Sequence, residues 1–193
     1  MEHNSITSFF DIISGESKCE GATVNWGQTT KHTYMGRDNS QYFSNDLNIT
    51  DWLKQYSKDQ DDSYVRGFLG RMLFTGDESL KPVKVLSGGE KVRCMLSKMM
   101  LSGANVLILD DPTNHLDLES IESLNQGLVR FNGVVLFSSH DHEFISTIAN
   151  RIIEITPKGV IDRMMNFDDY LKDEQVKSLR KEYYAGTDKK IRF

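Results

Sequence analysis

Nowhere in the 193 residues does a lysine follow a glycine. That absence excludes a G-x-x-x-x-G-K-[ST] phosphate loop, in which stacked backbone N–H groups and one lysine cradle phosphates. Long apolar runs are missing too, and none approaches the roughly 20 residues a membrane helix needs. The opening MEHNSITSFF has no basic stretch followed by a long apolar core, so it is not a secretory signal. Cysteine is scarce. Cys19 and Cys94 are far apart and form no C-x-x-C, which reads as two free thiols in a cytosolic protein rather than a disulfide or a metal site. Neither sign of charge dominates: 23 Lys and Arg stand against 28 Asp and Glu, a net charge of -5. This argues against a dominant polyanion-binding surface but leaves room for a local one. There is no internal repeat and no low-complexity segment. What remains is ordinary for a soluble globular chain, with 38% apolar and 26% charged residues. Its length suits one domain or part of a larger one.

The informative stretch is Leu86 to Asp117, LSGGEKVRCMLSKMMLSGANVLILDDPTNHLD. Ser87 and Glu90 fit the S-x-x-E capping box, which predicts a helix over 88–101 with Met95, Leu96, Met99 and Met100 on its apolar face. A helix N-terminus bearing a serine and two glycines is a ready anion site, because its first N–H groups are unpaired and its dipole end is positive. Any capping box with glycines looks the same, so this feature alone leaves a purely structural reading open. Val106 to Leu109 is a continuous apolar run, as in a strand buried on both faces of a parallel sheet. It ends in Asp110-Asp111, and a carboxylate there lies at the ligand edge of such a sheet. The other reading of Asp110-Asp111-Pro112 is a strand-end turn.

At this spacing the two motifs resemble the signature motif and Walker B strand of ABC-type ATPases. The extension Pro112-Thr113-Asn114-His115-Leu116-Asp117 is most similar to the soluble ABC-F branch. The resemblance covers about residues 9 to 175 and is most specific over 86–144. It implies an α/β fold, that of a P-loop NTPase ABC domain with a mainly parallel sheet and an inserted helical subdomain. It implies ATP and Mg²⁺ as ligands. Ser87, Gly88 and Gly89 would contact nucleotide, Asp110 would hold Mg²⁺ through water, and Asp111 would polarise the attacking water. Most of the family has Glu at that last position. Asp is one methylene shorter, and about 1 Å of displacement can cost on the order of 100-fold in rate.

The flanks fit the same resemblance less closely. Ile6, Phe9, Phe10 and Ile13 recur at helical spacing before Gly15, like the helix that follows a Walker A loop. His3-Asn4-Ser5-Ile6-Thr7-Ser8 stands where the end of that loop is expected, so the chain is expected to start inside a domain. Ala22 to Trp26 and His32 to Met35 read as short β pieces. Arg37 stands where the family's Q-loop glutamine belongs. It can contact phosphate but has only donors and cannot coordinate Mg²⁺; a solvated loop arginine is the competing reading. Residues 47–80 read as helical, with a Thr50/Asp51 cap before Trp52, Leu53 and Tyr56. An Asp62/Ser63 cap precedes Val65, Phe68, Leu69 and Met72. Asp117 caps a helix predicted over 118–130. Val134 to Phe137 reads as a second buried strand, completing a βαβ unit. Ser138-Ser139-His140-Asp141-His142 then resembles the switch-histidine loop, with His140 reaching the γ-phosphate. A His140/His142 metal site lacks a third ligand at fitting spacing, and adjacent Ser139-His140-Asp141 is no hydrolase triad, whose members converge from separate elements. Arg151–Ile155 and Val160–Asp162 form an expected hairpin, 167–184 an expected single helix, and 188–193 an expected disordered tail.

The expected domain is therefore one incomplete ABC unit. It comprises an N-terminal remnant with β pieces (1–46), a helical subdomain with the signature motif (47–102), the Walker B and switch-histidine core (103–166), and a C-terminal helix and tail (167–193). By resemblance it is the C-terminal part of a cytoplasmic ABC-F protein, a branch that binds the ribosome and adjusts translation, with some members giving antibiotic resistance. Its own nucleotide half-site lacks the loop and lysine that bear most of the phosphate binding, so alone it is expected to bind ATP weakly and not to turn it over. Its signature half-site is intact and could close on ATP held by another ABC domain. The competing functions are a non-enzymatic half-site partner, the ATPase subunit of a membrane transporter, and a non-functional gene remnant.

Overall fold

Strand β2 (Val106–Asp110) is buried along its whole length, as its unbroken aliphatic run requires. It lies between β1 (His32–Met35) and β3 (Val134–Ser138) and is parallel to both. The register sets Met35 beside Leu109 and Asp110 beside Ser138. The structure is a computed structural model that describes residues 2–74 and 76–186, and the chain divides after Ser139 into two units.

In the first unit, helix α1 (Glu2–Ser14) covers one face of the sheet. Phe10 packs on Val106 and Ile108, with Ile6, Ile13, Tyr34 and Leu136 around them. Gly15, at φ +89°, ends the helix in the left-handed conformation that glycine adopts without cost. Side chains alternate along a strand, so Leu107 and Leu109 point the other way, and both are fully buried. The predicted strand at Ala22–Trp26 does not form. That segment is irregular, and its Trp26 closes the end of α1: Nε1 donates to the Ile13 carbonyl at 2.9 Å and the ring stacks on His32 at 4.6 Å. Strand β3 forms as expected but is not a buried one. Val134 is 55% exposed, because β3 ends the three-stranded order.

The helical region contains α2 (Ile49–Lys54), α3 (Asp62–Arg71) and α4 (Gly88–Leu101), and α4 packs on α2, β1 and α5 (Leu118–Val129). The first two caps lie one or two residues before the predicted ones. Asn48 accepts from Asp51 N–H at 2.8 Å, and Asp61 accepts from Tyr64 N–H at 3.1 Å. Thr50 is instead inside α2, buried, with its hydroxyl donating to the Ser79 carbonyl. Trp52 centres the packing here. It is fully buried, stacks on Phe43 at 5.2 Å, meets Tyr56 edge-on at 5.1 Å, and donates Nε1–H to the Tyr42 carbonyl at 2.9 Å.

The second unit begins with α6 (His142–Ile148). A hairpin follows, β4 (Ile152–Thr156) paired antiparallel with β5 (Gly159–Arg163). The single predicted tail helix is two, α7 (Phe167–Lys172) and α8 (Glu174–Tyr183), broken where Asp173 turns extended and its carboxylate accepts from Val176 N–H at 2.8 Å. Ile161, Tyr170 and Val176 form the core. Glu154 crosses it, accepting from Tyr170 Oη at 2.6 Å, Arg180 Nε at 2.7 Å and Tyr184 Oη at 3.1 Å. The tail expected at 188–193 lies outside the described residues.

Candidate functional site

The C-terminal end of β2 delivers two carboxylates. Asp110 is 1% exposed, and both of its oxygens are in use. Oδ2 accepts from Thr7 Oγ1 at 2.6 Å and from Arg37 Nε at 3.2 Å, while Oδ1 accepts from Ser138 Oγ at 2.8 Å. The sheet explains two of these partners. Ser138 is the register partner of Asp110, and Arg37 follows β1, two residues past Met35. Thr7 comes from α1. Asp111 follows with φ +53°, a left-handed backbone that Asp tolerates better than most residues. Ser138 fixes that turn: its carbonyl and its Oγ lie 3.1 and 3.0 Å from the Asp111 N–H. Arg37 Nη2 lies 3.9 Å from Asp111 Oδ2, so one guanidinium faces both carboxylates. The solvated-loop reading of Arg37 is thereby excluded.

Around this pair runs a small cleft lined by Gly36, Arg37, Asp110, Asp111, Asn114 and His115, among others, of about 80 Å³. A larger cavity of about 360 Å³ opens elsewhere in the first unit, between Phe68, Arg71, Met72, Arg130 and Phe131. It holds no paired carboxylates, whereas the smaller cleft is lined by Asp110 and Asp111.

The signature turn has the expected capping box. Ser87 Oγ accepts from Glu90 N–H at 3.3 Å, and Glu90 Oε2 accepts from Ser87 N–H at 2.8 Å. Lys81 Nζ pairs with Glu90 Oε1 at 2.7 Å, which neutralises the acid beside the helix start. Ser87 and Gly88 are exposed. Gly89 is buried, and a Cβ there would lie 2.6 Å from Ser120 Cβ. Its glycine is thus required by the packing of α4 on α5, a constraint that sequence reading did not separate from nucleotide contact. Partial burial pushes the Glu90 carboxyl up, but the bonds from Lys81 and Ser87 outweigh it and hold it below the ordinary value near 4.5. A carboxyl with a lowered folded pKa stabilises the fold above its unfolded pKa and loses that contribution as pH falls through the folded one. Melting curves of Glu90→Gln should therefore vary less with pH than wild type below about pH 4.5, and the two should run parallel at neutral pH.

His140 opens the second unit, and neighbouring Asp141 caps α6 by accepting from Phe144 N–H at 2.7 Å. His142 Nε2 lies 3.2 Å from Asp168 Oδ1 within the same unit.

The protein-family model described as ABC transporter matches residues 4–114, more than half of the chain. The chain belongs to the ABC transporter family. Its curated relatives include members of the F branch. It is 60% identical over 182 residues to the uncharacterized ABC transporter ATP-binding protein YkpA of Bacillus subtilis, covering 93% of this chain and 34% of YkpA. It is 31% identical over 170 residues to the energy-dependent translational throttle protein EttA of Escherichia coli, covering 85% of this chain and 30% of EttA. Among solved structures, the RNase-L Inhibitor superposes with a TM-score of 0.68 at 18% identity, over 90% of this chain and 34% of that one, a likeness of fold. The chain spans about a third of the length of the curated relatives it matches.

An ABC domain binds ATP with Mg²⁺ as a family property. The donor set of this Walker B pair does not fit a hydrated Mg²⁺ as it stands. Mg²⁺ demands octahedral oxygens at about 2.1 Å and usually keeps several waters. Here the space in front of Asp110 Oδ2 is taken by the Thr7 hydroxyl and the Arg37 guanidinium.

Proposed function

We propose that this chain is an ATP-binding domain of the ABC-F kind that acts through its signature edge. Ser87, Gly88 and Gly89 close on the phosphates of nucleotide held by a second ABC domain, and the chain turns over no ATP alone. One observation carries the reading: Ser87 and Gly88 stand exposed at the start of a 14-residue helix, with the nearby acid already paired to Lys81. The first N–H groups of such a helix have no intrahelical acceptor and favour an anion. By resemblance, Asp110 and Asp111 would serve metal and water activation and His140 would contact the γ-phosphate. Asp111 is the short form of the usual acid, and no lysine-bearing phosphate loop stands with them. In the intact system the ABC-F kinship and EttA's description as a translational throttle support a role in translation. There ATP binding and hydrolysis would be coupled to ribosome regulation or antibiotic resistance, in the cytoplasm.

Steady-state phosphate release from purified protein with Mg²⁺ and ATP tests the catalytic half of this reading. The expected rate equals the no-enzyme background. A rate above background that disappears in His140→Ala would overturn it.

A further inference from the structure

Asp110 and Asp111 bring two negative charges to one strand end, nine-tenths or more buried. Such a pair costs free energy unless a cation faces it. In this chain the cation is covalently attached. Arg37 Nε donates to Asp110 Oδ2 at 3.2 Å, and Nη2 stands 3.9 Å from Asp111 Oδ2. The guanidinium thus faces both carboxylates, and its Nε sits against the Asp110 oxygen in front of which a hydrated divalent ion would need room. The rest of the Asp110 shell is protein as well, with Thr7 on one oxygen and Ser138 on the other. Among the described residues no three His, Cys, Asp or Glu side chains converge to hold a metal elsewhere. The backbone enforces the arrangement. Because Met35 is the register partner of Leu109, the chain leaving β1 runs beside Asp110 and Asp111, and a long side chain at position 37 reaches both.

We propose that Arg37 is the built-in cation of this site, filling the space at Asp110 that a divalent ion would need and balancing the charge of Asp111 as well. The chain's own carboxylate pair then binds no Mg²⁺ until Arg37 is removed, and Arg37→Gln creates a metal site. Gln has no charge and carries a carbonyl oxygen, which can ligate a hard cation. The inference stands on the contacts of Arg37 and does not depend on the trans role of Ser87, so its failure leaves that reading in place.

Mn²⁺, titrated into the full chain and followed by its paramagnetic resonance signal, is the probe. Wild-type protein is expected to leave the free-ion signal unchanged. Arg37→Gln is expected to bind one Mn²⁺ at least about tenfold more tightly than wild type, with a Mn²⁺-dependent rise in melting temperature. Arg37→Gln/Asp110→Asn is expected to lose both effects. Two results would overturn the proposal: wild-type protein binding Mn²⁺ in a way that Asp110→Asn abolishes, or folded Arg37→Gln gaining no affinity. The first needs no Arg37 variant, so the proposal stays testable if Arg37→Gln does not fold.

Discussion

Trp52→Ala should cost the first unit about 3–5 kcal/mol, the range for emptying a fully buried tryptophan site. Against a typical total of roughly 5–15 kcal/mol that is a large share. Three losses add up. The ring leaves a cavity between Phe43 and Tyr56, its stacking on Phe43 disappears, and the Tyr42 carbonyl loses the Nε1–H donor. The loss would also reach the proposed signature edge, since α2 packs directly on α4, whose N-cap is Ser87. Trp52→Phe keeps an aromatic ring against Phe43 and gives up the indole donor, so it should lose markedly less. Urea denaturation followed by circular dichroism gives the comparison. A loss under about 1 kcal/mol for Trp52→Ala would place the site among surface substitutions and contradict the packing described.

The parts of this fold that were legible in the sequence were those decided within a few residues. The capping box at Ser87 and Glu90, the aliphatic run of β2 and the cap at Asp117 are local chemistry, and the helices and strand they announce match the expected extents to within one residue. Where several residues could do one job, packing chose. Asn48, Thr50 and Asp51 can all cap a helix, and Asn48 does so because Thr50 is needed inside, against Ser79. Asp173 splits the tail helix because its side chain competes for the backbone N–H of Val176. At Ala22–Trp26 the apolar residues that suggested a strand include the one that closes the end of α1.

The candidate site divides in the same way. Asp110 and Asp111 stand at the strand end where their run placed them, and Ser87 and Gly88 stand at the helix start. What sequence could not supply is the shell around Asp110. Thr7 is 103 residues away in the chain and Arg37 is 73, and only the packing of α1 on the sheet and the strand order bring them together. Strand pairing held the one available signal: once β1 is set beside β2, position 37 has to lie near 110. Gly89 carries a second lesson. Its place in the signature turn suggested nucleotide contact, while its burial against Ser120 shows a steric need that holds with or without nucleotide.

The second large effect is expected at Ser87. An arginine there adds a long side chain to the exposed first turn of α4, where the phosphates of a facing domain would approach. It also removes the oxygen that accepts from Glu90 N–H. Replacing an N-cap serine costs about 1 kcal/mol, too little to unfold the domain, so the fold survives while the docking edge is blocked. If the chain works through this edge, it should co-purify with a full-length ABC protein when ATP is present and not when it is absent, and Ser87→Arg should abolish the complex while leaving the melting temperature within a few degrees of wild type. A complex formed equally well without ATP, an undiminished one with Ser87→Arg, or none at micromolar concentrations would contradict the account.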